Sequence, residues 1–176
     1  MSVLSDKNIL SALDNELLKI EPFSPDNLTP NGYDLTISEI ALPNTPAITT
    51  GSLSIPSNTR FAVSTLERIA CAPNITAQLW LRTSWARKGI MATFGKVDAG
   101  FDGTLTLASF NTDTEDVTIS IGETYAQIVF ETLSEKAEMD YGESGSGAYV
   151  CYTNVNAKNS LRVARIQLKV SLRAKI

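Results

Sequence analysis

Thr76-Ala77-Gln78-Leu79-Trp80-Leu81 runs directly into Arg82-Thr83-Ser84-Trp85-Ala86-Arg87-Lys88-Gly89-Ile90, and this junction decides how the rest of the chain reads. Its first six residues put Ala77, Leu79 and Leu81 on one side and Thr76, Gln78 and Trp80 on the other, the period-two pattern of a strand with one buried face. The same alternation marks Asp34-Leu35-Thr36-Ile37, Thr104-Leu105-Thr106-Leu107 and Val117-Thr118-Ile119-Ser120-Ile121, and less regularly Ala126-Gln127-Ile128-Val129-Phe130. Pro22, Pro25, Pro30, Pro43, Pro46, Pro56 and Pro73 cut the chain between them into short pieces, which favours strands and turns over helices. A mainly β, antiparallel fold follows. Upstream of it, Ser5 reads as a helix cap, and Ile9, Leu10, Leu13, Leu17 and Ile20 recur at spacings of three and four, predicting an amphipathic helix over residues 6–19. Downstream, residues 166–173 alternate strictly and predict a strand with one apolar and one basic face. Residues 143–147, Glu-Ser-Gly-Ser-Gly, read as a flap or linker.

The chain has 176 residues, 43% of them hydrophobic, enough for one core and short for two, so a single domain over 1–176 is expected. No stretch approaches the roughly 20 apolar residues of a membrane helix, and the first residues lack the pattern of a secretory signal. A cytoplasmic protein without membrane contact is therefore expected. Cys71 and Cys151 lack CxxC spacing and read as reduced, small apolar residues. Histidine is absent, which removes Ser-His and Cys-His nucleophilic pairs, His-ligated zinc and an imidazole proton shuttle. Chemistry must then run on carboxylates, hydroxyls, arginines and a hard metal. The formal charge of −4 hides an asymmetry. Lys158, Arg162, Arg165, Lys169, Arg173 and Lys175 form a basic tail over 158–176, and the remainder carries about −10. Such a body is a poor partner for nucleic acid.

Four segments carry groups suited to a nucleotide. Pro30-Asn31-Gly32-Tyr33-Asp34-Leu35 delivers an acid at the start of a strand, although Asp34 would equally serve as a turn cap. Arg82, Thr83, Ser84, Arg87 and Lys88 crowd cations and hydroxyls into one short run, as a polyphosphate site needs. The same run also fits a solvated face around a buried Trp85. In Gly95-Lys96-Val97-Asp98-Ala99-Gly100-Phe101-Asp102-Gly103, glycines frame two acids and a ring. That arrangement would let main-chain groups read a flat base while Phe101 packs on a sugar, and it also occurs in plain hairpins. Gly122 to Phe130 is by itself a turn feeding a strand with one amide, Gln127.

In this order, the four segments resemble the motifs of the dUTPase and dCTP deaminase superfamily, over residues 3 to about 150. Gly32-Tyr33-Asp34-Leu35 resembles the first, Arg82-Thr83-Ser84 with Arg87 and Gly89 the phosphate-binding second, Val97 to Gly103 the nucleoside-binding third, and Gly122 to Phe130 the fourth. The opening Leu4-Ser5-Asp6-Lys7-Asn8-Ile9-Leu10 and Ile20-Glu21-Pro22-Phe23 resemble the deaminase branch, and the whole is closest to the archaeal-type dUTPases built on that scaffold. The resemblance implies a distorted antiparallel β-barrel of jelly-roll-like, β-clip type with an N-terminal helix. It also implies homotrimers with shared sites, Arg87 and the Gly-rich segment reaching a neighbouring subunit. Thr83 replaces the usual serine and keeps its hydroxyl; Phe101 replaces the tyrosine of ordinary dUTPases. The tail from Ser160 to Ile176 matches no part of the family.

Deaminases of the superfamily place a glutamate ten positions after the third-motif aspartate. Here that position is Ala108, and a methyl group cannot move a proton. The resemblance therefore implies a dUTP diphosphatase that uses Mg2+ and turns dUTP into dUMP and pyrophosphate. Asp98 would orient the attacking water. Arg82, Thr83, Ser84, Arg87, Gln127 and Tyr149 would bind phosphate. Gly95, Val97, Asp98 and Phe101 would hold the nucleoside, and Asp34 and Gln127 would reach the metal through water. The alternatives are a dCTP deaminase, a bifunctional deaminase and dUTPase, and a catalytically silent nucleotide-binding assembly protein.

Overall fold

The computed structural model describes residues 2–142. The Gly-rich stretch 143–147, Tyr149, Cys151, the strand expected at 166–173 and the basic tail lie outside the described residues.

The chain opens with β1 (Ser2–Val3), helix α1 (Asp6–Asp14) and β2 (Leu18–Glu21). The Ser5 hydroxyl accepts from the backbone N–H of Asn8 at 3.3 Å, so the expected cap is present. The helix stops five residues earlier than its apolar spacing predicts. Asn15 turns its side-chain amide back to the Ser11 carbonyl at 2.7 Å, and Glu16 takes a left-handed φ of 57°, which ends a helix. Leu17 is left exposed and Ile20 falls on a strand instead, where Leu18 and Ile20 alternate into the core with Lys19 and Glu21 outside.

Next come β3 (Leu28–Thr29), β4 (Gly32–Ala41), β5 (Ser52–Ile55), β6 (Thr59–Thr65), β7 (Arg68–Cys71) and β8 (Ile75–Leu81). A one-turn helix α2 (Thr83–Ala86) leads to β9 (Ile90–Ala92), β10 (Lys96–Val97) and β11 (Asp102–Gly103). β12 (Thr106–Asn111), β13 (Val117–Ser120) and β14 (Thr124–Thr132) complete the fold. Every expected strand among the described residues is present, with β12 starting two residues later than the Thr104 alternation predicts.

The main sheet runs β10-β8-β14-β4-β6-β12-β9, with β1 added to β14 and β3 to β4. A three-stranded sheet, β11-β7-β2, and a two-stranded one, β13-β5, accompany it. All pairings are antiparallel. Tyr33, Leu35 and Ile37 alternate along β4 into one buried face, joined from β14 by Ile128 and Phe130. One end of that face packs against α1 and the β2–β7 sheet, and the other against β5 and β13. Leu79 and Leu105 touch both clusters. A sheet covered at both ends of one face must curl, giving a mainly β, barrel-like antiparallel architecture. Cys71 is a free thiol in this interior; burial first and the Asp102 charge second push its pKa up to about 12, so it behaves as a small apolar residue.

One buried charge braces the sheet. Glu67, 1% exposed at the turn between β6 and β7, accepts the backbone N–H of Thr36 in β4 at 2.9 Å. Desolvation raises its pKa above the ordinary 4.5, outweighing its hydrogen bonds. In the window between 4.5 and the raised value, the folded protein holds a proton that the unfolded chain releases, so stability falls as pH rises through it. Glu67→Gln keeps an acceptor for Thr36 and removes this dependence. The melting temperature of the variant relative to wild type is expected to increase between pH 4.5 and 7.5; a difference that stays flat with pH would contradict the account.

Candidate active site

The first three strands of the site meet on one row. Gln127 of β14 stands opposite Asp34 of β4 on one side and Trp80 of β8 on the other. The Gln127 amide donates to the Thr29 hydroxyl at 3.1 Å and to Asp34 Oδ1 at 3.5 Å. Arg82, just past the end of β8, sets its Nε 3.2 Å from Asp34 Oδ2, and its Nη1 donates to the Thr124 hydroxyl. Asp34, Arg82 and Gln127 therefore form a single cluster. Desolvation raises the pKa of Asp34, opposed by the Arg82 charge and the Gln127 hydrogen bond.

Close packing of β4 on β14 makes this row. A Cβ on Gly32 would stand 2.6 Å from the Ile128 carbonyl oxygen and 3.1 Å from the Gln127 side chain, so only glycine lets the strands approach here. The α2 turn is anchored by Trp85, buried, with its indole N–H on the Thr124 carbonyl at 2.9 Å. Thr83, Ser84 and Arg87 are left exposed beside Arg82. The second segment thus does both things its residues allow: Trp85 fills the core, and the cations and hydroxyls face solvent next to a carboxylate.

The third segment builds a different place. Val97, buried, pairs with Ala77, and its carbonyl accepts the Thr76 hydroxyl at 2.7 Å. Asp98 follows, exposed, and its carbonyl takes the Phe101 N–H at 3.1 Å to close a turn. A cavity of about 290 Å³ opens there, lined by Gly95, Val97, Asp98, Phe101, Ala108 and Tyr141 among others. The four expected nucleoside residues share this cavity. Among the described residues, its charged lining residues are Lys96 and Asp98.

Asp34, Arg82 and Gln127 do not line it. Along β8, Arg82 lies five residues beyond Ala77, roughly 17 Å at strand rise. One chain therefore brings the expected residues together as two half-sites. Between them, a larger groove of about 670 Å³ runs from Gly95 and Lys96 to Trp80 and Ala86. Trp80 is 59% exposed and Met91 61%, and Met91 stands directly opposite Phe110, another exposed apolar side chain. The alternation of β8 already sets Trp80 on its outward side; that Met91 and Phe110 also lie exposed, paired with each other, depends on the register of β9 on β12. Thr29, Thr124 and Tyr141 carry no signal in the sequence; Thr29 precedes the first segment and Thr124 lies inside the fourth, and only the fold brings Thr29 to the Gln127 amide and Thr124 to the Arg82 guanidinium.

A family model described as dCTP deaminase-like matches residues 42–133. The chain is 39% identical over 132 residues to a dCTP deaminase of Thermococcus kodakarensis, a match covering 73% of this chain and 85% of that protein. It belongs to the dCTP deaminase-like family. A dUMP-forming dCTP deaminase of Bifidobacterium longum is 31% identical over 169 residues, covering 84% of this chain and 88% of its own. Among solved structures, the fold is similar to that of 2′-deoxycytidine 5′-triphosphate deaminase from Agrobacterium tumefaciens, with TM-score 0.63 and 19% identity over 74% of this chain. The match spans 48% of that longer chain, so this chain covers about half its length. The native EIAV dUTPase has TM-score 0.51 and 17% identity, covering 69% of this chain and 93% of its own. Membership of the dUTPase and dCTP deaminase superfamily and its β fold are thus established. The names of the relatives belong to the deaminase branch, whereas the residue at 108 pointed to the hydrolase branch.

For this member of the deaminase-like family, the glycine at 32 is a sensitive point. Gly32→Ala forces β4 away from β14 and is expected to cost about 1–3 kcal/mol, seen as a melting temperature lowered by roughly 3–10 °C. A variant as stable as wild type would mean the strands have room to spare.

Proposed function

We propose that the protein hydrolyses dUTP to dUMP and pyrophosphate. The observation that carries this reading is Ala108. Its methyl is exposed on the wall of the cavity that also holds Asp98 and Phe101. Deamination needs a group there that delivers a proton to the pyrimidine ring and takes one from water, and among the described residues Asp98 is the one carboxylate that lines the cavity. Hydrolysis needs less: a carboxylate to hold one water in line with the α-phosphorus, and cations to bind the leaving pyrophosphate. Asp98 supplies the first. Arg82, Thr83, Ser84 and Arg87 supply the second, with Gln127 and, from beyond the described residues, Tyr149.

Magnesium fits the phosphate cluster in an outer role. This ion keeps several waters and is held mainly by substrate phosphates and one or two carboxylates. Asp34 is one nearly buried carboxylate already paired with Arg82 and Gln127, suited to accept a hydrogen bond from a metal-bound water. Bound Mg2+ would supply charge neutralisation for the triphosphate.

The two half-sites call for a second copy of the chain. We assign the apolar strip of Trp80, Met91 and Phe110 to an interface in a homotrimer, where the phosphate cluster of one subunit faces the Asp98 cavity of its neighbour. Trp80→Glu is expected to leave folding intact, convert trimer to monomer in light scattering and abolish turnover. A wild-type protein that is monomeric and active would sink the shared site.

The second reading is dCTP deamination, alone or coupled to hydrolysis, and the names of the relatives favour it. Product analysis separates the two. Incubated with dUTP, dCTP and magnesium, the protein is expected to release pyrophosphate from dUTP and no ammonia from dCTP. Asp98→Asn is expected to lower kcat by about 100-fold or more with an unchanged melting temperature; undiminished hydrolysis would refute the role of Asp98.

A further inference from the structure

Beyond the last strand, residues 133–141 fold back over the Asp98 turn. Leu133 N–H donates to the Asn74 carbonyl, Ala137 N–H to that of Pro73 and Tyr141 N–H to that of Ala99, each at 2.9 Å. The contact is tight. Gly100 takes a φ of +80°, and a Cβ there would lie 2.6 Å from the Asp140 Cβ, so the segment rests on the turn with no space for a side chain between them. It thereby sets the Tyr141 ring 5.6 Å from the Phe101 ring at 60°, within the favoured tilted range for aromatic pairs. Both rings line the cavity together with Asp98 and Ala108.

We propose that Tyr141 is a positioning residue for sugar selection: it fixes the Phe101 ring and so sets how closely a ribose can sit. This rests on the reading of the Asp98 cavity as the nucleoside pocket. Phe101 is half-buried on a turn, and among the described residues Tyr141 is the ring stacked on it. A phenyl group on a turn swings between rotamers unless a neighbour blocks the swing. Rejection of a 2′-hydroxyl by an apolar wall is worth at most about 100-fold, and only while that wall stays in place. The Tyr141 ring is the part that meets Phe101.

The test compares wild type, Tyr141→Phe and Tyr141→Ala on dUTP against UTP and on dCTP against CTP, scoring both pyrophosphate and ammonia. Tyr141→Phe is expected to keep the deoxy-to-ribo ratio of kcat/KM within about twofold. Tyr141→Ala is expected to lower that ratio by roughly 3- to 10-fold, mainly through a higher KM for the deoxynucleotide, with circular dichroism unchanged. Tyr141→Leu, which retains bulk without a flat ring, is expected to fall between them and guards against misfolding of the alanine variant. Ammonia from dCTP in place of pyrophosphate from dUTP would sink the hydrolase reading alone, because the ratio is then read on dCTP and CTP. Folded Tyr141→Ala and Tyr141→Leu enzymes with the wild-type ratio, changed only in kcat, would overturn the role of Tyr141. A wild type that turns over none of the four would overturn both.

Discussion

The cluster of Asp34, Arg82 and Gln127 depends on β14 lying between β4 and β8 at close range. That single strand places Gln127 between Asp34 and Trp80 in one row, carries the Thr124 hydroxyl that receives Arg82, and offers the Thr124 carbonyl that holds Trp85. The bulge between Thr124 and Ala126 puts an extra residue where the strand must serve both a core aromatic and a surface guanidinium, a common use of bulges beside sites. Gly32 permits the approach on one side, and Glu67 pins Thr36, two residues beyond Asp34, on the other. A nearly buried carboxylate tolerates its desolvation only because these contacts hold Arg82 and Gln127 against it.

The cavity around Asp98 has a different origin. It is made by a short pair, β10 on the far end of β8, and by a turn whose glycine accepts the return of the chain. The two half-sites are rigid because each is fixed to β8, and they are apart for the same reason. A strand is a ruler: residues five apart on it stand roughly 17 Å from each other. The uncovered Trp80 and Met91 line the groove that runs from one half-site to the other.

Much of this was legible from the chain. The strands were visible because each has one buried and one solvated face, so burial writes itself into the sequence with period two. The helix was over-read because Leu17 and Ile20 keep helical spacing by accident of the following strand, and only the left-handed Glu16 marks the break. Of the site, the charged residues were recognisable as types in order. Their pairing was not: Thr29 with Gln127 and Thr124 with Arg82 depend on strand register. Tyr141 had no signal at all, since its place comes from a backbone contact with Ala99 and from missing atoms on Gly100. The two half-sites were likewise hidden, because order along the chain says nothing of distance along β8.

The difference between the names of the relatives and the reading advanced here comes down to scale. Identity of 39% over 132 residues leaves the majority of those positions different, and a shared fold does not by itself fix the reaction. The two reactions differ in the group they need beside the reacting atoms: deamination moves protons at a ring, and hydrolysis directs one water at a phosphorus. Among the described residues, the wall of the Asp98 cavity carries the methyl of Ala108 beside one carboxylate, with Lys96, Val97, Tyr141 and several Leu, Phe and Thr side chains around them. An overall likeness averages over some hundred positions and gives this one no special weight. A reaction that must move protons at a ring needs more than a methyl group at this place, which is why this one position is weighed against the overall likeness.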